Sequence, residues 1–114
     1  MSRRNVAVSR ATGEALKVLG NQIKTARLER HWSLTDVADR LGVDRRTVSS
    51  IESGSPVATI GVVFNAAFLV RVNLFGLTGS ELARARRRGD EVLALLPRNA
   101  RRPVVKDADD DAAF

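Results

Sequence analysis

The sequence predicts an all-α domain of five helices followed by a disordered C-terminal tail. Apolar residues recur at spacings of three and four through most of the chain. In three of the runs Ser or Asp at the head is answered by a Gly or Pro at the foot, the punctuation of short helices. Apolar/polar alternation of the strand type is confined to five residues, Val70, Arg71, Val72, Asn73 and Leu74.

Residues 1–11 are polar, basic and aperiodic, which reads as a flexible arm. Thr12 is the candidate N-cap of a first helix with Leu16, Leu19, Ile23 and Ala26 on one face, ending near His31. His31, the single histidine, is read as a last-turn residue facing the negative end of the helix dipole. Ser33 and Asp36 have the spacing of a capping box for a second helix, with Leu34, Val37, Ala38 and Leu41 inward and Gly42 as its stop. Asp44 caps a third helix that points Val48 and Ile51 inward and Arg45, Arg46, Ser49 and Ser50 outward, with Gly54 ending it. Two short helices joined by about three residues make a helix-turn-helix.

From Pro56 to Gly79 the one charged residue is Arg71. Ala58 to Leu69 is apolar almost all round, as a helix buried on several sides should be. The alternating 70–74 segment then reads either as a short strand paired with its equivalent in a second copy or as a last helical turn running into a loop. Ser80, followed by Glu81, is taken to open a basic amphipathic helix over 80–97, with Leu82, Ala85, Gly89, Val92 or Leu93, and Leu96 on one face and Arg84, Arg86, Arg87 and Arg88 on the other. Pro97 ends it, and 98–114 is a tail with too little apolar surface to fold, basic to Lys106 and acidic from Asp107 to a terminal Phe114. The expected organisation is therefore an arm at 1–11, a domain at 12–79, a helix at 80–97 and a tail at 98–114.

Composition narrows the function. There are 114 residues with 19 Lys+Arg against 13 Asp+Glu, a net charge of +6, which favours a polyanionic partner. Folding at this size buries about two-thirds of the exposable surface, so association with a second copy would add stability. With no Cys, one His and no Tyr, a thiol nucleophile, a disulfide framework and the usual zinc sites are excluded, and no Gly-rich phosphate loop occurs. Asp36 and Asp39 read as surface charges rather than paired catalytic carboxylates. Neither an enzyme nor a cofactor is expected. The N-terminus lacks an apolar run behind its arginines, and no 18-residue uncharged apolar stretch occurs, so the expectation is a cytoplasmic protein with no membrane association.

From Leu19 to Ile60 the chain resembles the helix-turn-helix domain of the phage Cro and repressor class, the xenobiotic-response-element (XRE) family. The resemblance rests on Ala38 where the two helices cross, Gly42 in the turn, Val48 and Ile51 packing the second helix on the first, and Arg27 and Glu52 at a commonly paired Arg/Glu position. It implies that residues 44–53 enter the major groove of double-stranded operator DNA, with Arg45, Arg46, Ser49 and Ser50 reaching base edges. Arg is suited to bidentate bonds with guanine, and Ser to either donor or acceptor edges. Ser33, Thr35 and Thr47 would contact phosphates, the first two at a helix N-terminus. Where the family often has Gln, this chain has Leu34, which offers no polar grip on the backbone; Ser53-Gly54-Ser55 also lacks the basic residue often found after the recognition helix. Arg3, Arg4, Arg10 and the Arg84–Arg88 face are candidates to compensate. The run from Ala15 to Leu77 further resembles HipB-type antitoxins of HipBA toxin-antitoxin modules. That resemblance implies a homodimeric, autoregulating repressor of palindromic operators that holds a HipA-like kinase toxin, with Phe114 as a candidate docking residue. The alternatives are a protein-interaction module, or a stand-alone phage-type or metabolic repressor with no toxin partner.

Overall fold

The computed structural model describes residues 7–100. Its elements are α1 (Arg10–Glu29), α2 (Leu34–Leu41), α3 (Arg45–Glu52), α4 (Ile60–Leu69) and α5 (Gly79–Ala94). The chain divides into two compact units, Met1–Leu74 and Phe75–Phe114. No described helix is long and apolar enough to cross a membrane.

In the first unit α2 packs on α3 and α4, and α1 packs on α3. One cluster gathers Ile23 of α1, Ile51 of α3, Val63, Ala66 and Ala67 of α4, and Val70 and Leu74 behind it. A second, smaller cluster joins Val37 and Ala38 of α2 to Val48 of α3. Trp32 and Leu41 pack against both, so the two clusters are continuous across the helix-turn-helix.

Four helices end in the same way. A residue in the left-handed conformation follows the helix, and the next amide reaches back to a carbonyl five residues earlier, satisfying acceptors that would otherwise be orphaned. The long bonds are Trp32 N–H to Arg27 O after α1, Val43 N–H to Ala38 O after α2, Ser55 N–H to Ser50 O after α3 and Val72 N–H to Ala67 O after α4. Gly42 and Gly54 supply the positive φ without strain, whereas His31 (φ 59°) and Arg71 (φ 67°) adopt it with side chains. Arg30 ties the ends of α1 and α4 together, its Nη2 donating to the Val70 carbonyl at 3.0 Å.

Several expectations are revised. The N-cap of α1 is Ser9, not Thr12: the Ser9 hydroxyl accepts from the Thr12 amide at 3.1 Å, so Arg10 and Ala11 are helical rather than part of an arm. His31 is not in the last turn but beyond the cap, as the left-handed closing residue. No strand starts at Val70, because Val70 caps α4, Arg71 turns left-handed and the Val72 amide is used in helix closure. Alternation there places Val70 and Leu74 in the core, where they are buried. α4 is buried along one side only, through Val63, Ala66 and Ala67, while Ile60 is 68% and Phe68 44% exposed.

In the second unit Phe75 and Gly76 both have positive φ, the conformation of a tight type I′ turn. The N-cap of α5 is Thr78, not Ser80. Thr78 and Glu81 form a reciprocal capping box, with Thr78 N–H donating to Glu81 Oε1 at 2.7 Å and Glu81 N–H to Thr78 Oγ1 at 3.4 Å. No residue of α5 is buried, and Leu82 and Ala85 are its half-buried positions.

Candidate nucleic-acid interface

The geometry of α3 follows from how its two faces are held. Val48 and Ile51 are buried against α2 and α1, so Arg45, Arg46 and Ser49, on the opposite side, are exposed; Ser50 is half-buried. The close approach of α2 and α3 needs the small side chain of Ala38, which is 2% exposed in the crossing. Gly42, at φ 74°, turns the chain between them.

The far end of α3 is held more firmly. Arg27 Nε and Nη2 donate to Glu52 Oε2 and Oε1 at 2.6 and 2.9 Å, and Nη1 donates to the Trp32 carbonyl at 2.8 Å. Both side chains are buried. The bonds to Glu52 raise the Arg27 pKa above its ordinary value, so the guanidinium stays charged throughout the working pH range. Gly20 of α1 lies directly against this end: a Cβ there would stand 2.5 Å from Glu52 O and 2.8 Å from Ile51 O. Gly54, just past α3, similarly leaves room for Lys17. Neither contact had a signal in the sequence, since a helical glycine acquires meaning only when its neighbour is known.

The near ends of α2 and α3 share an open cleft lined by Leu34, Asp44, Arg45, Arg46 and Ser49. Asp44 Oδ1 accepts from both the amide and the hydroxyl of Thr47 at 2.9 Å. Thr47, expected on phosphate, therefore has its hydroxyl proton directed into the cap. Ser33 is likewise part of a cap: its Oγ accepts from the Asp36 amide at 3.0 Å and its amide donates to Asp36 Oδ2 at 2.8 Å. Thr35 is exposed in the first turn of α2, where the leading amides have no intrahelical acceptor and favour an anion. Arg40, on the same helix, stacks 4.3 Å from the Trp32 ring centroid, with Arg30 at 5.7 Å. Asp44 as a cleft residue and Arg40 as a stacked one carry no local signal, because both depend on how the helices pack.

Asp36 and Asp44 are held below the ordinary carboxylate range, first by the backbone amides they cap and then by the hydroxyls of Ser33 and Thr47. A depressed native pKa contributes stability at pH above the unfolded value and loses it as pH falls through the native value. Thermal melting followed from about pH 6 down to about pH 3 should show a falling midpoint over the acid part of that range. Asp44→Asn, which keeps the capping oxygen but does not titrate, should make the fall shallower.

In the second unit Arg84, Arg86, Arg87 and Arg88 are all exposed, and Arg86 pairs with Asp90 one turn on at 2.7 Å. Arg3, Arg4 and Phe114 lie outside the described residues.

Residues 23–67 match a protein-family model described as Helix-turn-helix, of the XRE/Cro type. No curated protein and no solved structure matches the chain. The matched segment runs from Ile23 to Ala67, taking in the smaller buried cluster, all of the larger one but Val70 and Leu74, and the Arg27–Glu52 pair. Residues 23–67 form a helix-turn-helix domain, and the match supports a DNA-binding transcription regulator.

Proposed function

We propose that this chain is a sequence-specific repressor that binds inverted-repeat operators as a homodimer, with α3 in the major groove. The observation that carries the reading is the division of α3: Val48 and Ile51 are buried, Glu52 is clamped by Arg27, and Arg45, Arg46 and Ser49 face outward. A rigidly held helix with guanidinium and hydroxyl groups on its outer face suits direct readout of base edges. Ser33, Thr35 and the leading amides of α2 hold the backbone beside it. The dimer is supported by the exposed side of α4, where Ile60 and Phe68 follow one helical face and Val57 precedes them at 71% exposure. Two recognition helices about 34 Å apart would meet half-sites one DNA turn apart.

The finer reading is an autoregulating antitoxin that holds a HipA-like kinase toxin. It is supported by the resemblance of residues 15–77 to HipB-type antitoxins, and co-purification with the product of a neighbouring kinase-like gene tests it.

The test of the DNA reading is selection of duplexes from a random pool, followed by fluorescence anisotropy on a selected duplex. Arg45→Ala and Arg46→Ala should each weaken binding by about 1–3 kcal/mol. Parent affinity should fall steeply with salt as counterions are released. Variants that bind selected and random DNA as the parent does would contradict the assignment of α3.

A further inference from the structure

Leu34 stands at the first position of α2 with two different surroundings. One side packs against the Val37, Ala38 and Val48 cluster; the other lines the open cleft at the head of α3. The remaining cleft residues, Asp44, Arg45, Arg46 and Ser49, are charged or hydroxylic. An apolar side chain at the mouth of such a cleft gives nothing to a phosphate oxygen. Asp44 adds to this, since its carboxylate is kept ionised by Thr47 and repels a phosphate brought beside it. On the side formed by Leu34 and Asp44 the cleft thus suits a base edge better than a phosphate oxygen, while Arg45 and Arg46 line the rest. Among the groups a major groove presents, the pyrimidine C5-methyl is the apolar one.

Resting on the reading of α3 as the base-contacting helix, we propose that Leu34 is a specificity-determining residue that receives the C5-methyl of a pyrimidine neighbouring the base pair read by Arg45 or Arg46. Thymine carries this methyl in ordinary DNA, and 5-methylcytosine carries the same group. Leu34 then adds discrimination at a position where α3 itself makes no hydrogen bond.

The experiment uses the full chain and a selected duplex in which each thymine is replaced in turn by deoxyuridine, which lacks the methyl. Burying one methyl is worth about 0.8 kcal/mol, so the parent should lose about fourfold in affinity at one position per half-site. Leu34→Ala should bind the thymine and deoxyuridine duplexes equally, while Leu34→Met, which retains apolar bulk, should keep the preference. A cytosine placed at that position should gain a similar factor on C5 methylation, which separates methyl recognition from readout of the exocyclic groups. A parent indifferent to deoxyuridine at every position overturns the contact, and this readout requires no variant to fold. Undiminished discrimination by Leu34→Ala, or no gain from cytosine methylation, also overturns it. In each of those cases a selected duplex is still bound and the reading of α3 survives; failure to select any duplex would overturn both.

Discussion

Arg27→Met should lower the stability of the helix-turn-helix domain by about 3–5 kcal/mol, the cost of leaving a buried carboxylate without its partner. Glu52 is 8% exposed and receives two guanidinium bonds, so removing Arg27 leaves both carboxylate oxygens in a site where water cannot replace the donors. The Trp32 carbonyl loses its donor in the same step. Set against a typical total stability of about 5–15 kcal/mol, a loss of this size leaves a marginal domain. The double variant Arg27→Met, Glu52→Met should recover most of the loss, since exchanging a buried ion pair for apolar side chains of similar volume is often neutral or stabilising. Urea denaturation followed through Trp32 fluorescence measures both. A single variant as stable as the parent would mean that Glu52 finds water or another donor, and that the pair does not hold α3 in place.

Gly20→Ala should also destabilise, against the usual direction for a helical glycine. Replacing Gly by Ala in a helix interior ordinarily gains about 0.5–1 kcal/mol through reduced backbone entropy in the unfolded chain. Here the new methyl would stand 2.5 and 2.8 Å from two backbone carbonyl oxygens of α3, which cannot rotate away as a flexible side chain would. Overpacking of this kind costs about 1–3 kcal/mol, enough to outweigh the propensity gain. Separation of α1 from α3 would also lengthen the Arg27–Glu52 bonds, since those two residues bridge the same pair of helices. Gly13→Ala provides the contrast, with no atom within 4 Å of its added Cβ, and should stabilise by about 0.5–1 kcal/mol. Shifts in melting temperature of opposite sign would support the close approach; stabilisation by both would refute it.

What was legible in the sequence was whatever depends on residues close together in the chain. Ser33 with Asp36, Asp44 with the amides after it, and Gly42 and Gly54 after their helices are local devices, and the structure has them where the spacing puts them. The inward positions Val37, Val48 and Ile51 followed from the helical period. The start of α5 is also a local device, but its cap is Thr78, three residues before Glu81, and not the expected Ser80. The end of α4 was not, because alternation over five residues fits both a strand and a left-handed helix closure, and the core decided by burying Val70 and Leu74. His31 and Arg71 at positive φ gave no local sign, since that conformation is more often filled by Gly. Gly20 against α3, Arg30 on the Val70 carbonyl and Arg40 on Trp32 are long-range contacts that exist only once the helices are packed. Of the base-reading candidates, Arg45, Arg46 and Ser49 share the exposed face and the cleft, while Ser50 is half-buried, with its carbonyl engaged in closing α3.

The central claim is that the outer face of α3 reads base pairs. The most direct measurement is the base preference at each position of the selected site, determined in parallel for the parent, Arg46→Ala and Ser49→Ala. Each substitution should flatten the preference at its own base pair in both half-sites and leave the remaining positions unchanged, with mismatches at the affected pair no longer costing about 1–3 kcal/mol. Preference profiles identical to the parent's, or a uniform loss of affinity at every position, would contradict the claim and place these side chains on the phosphate backbone or away from DNA.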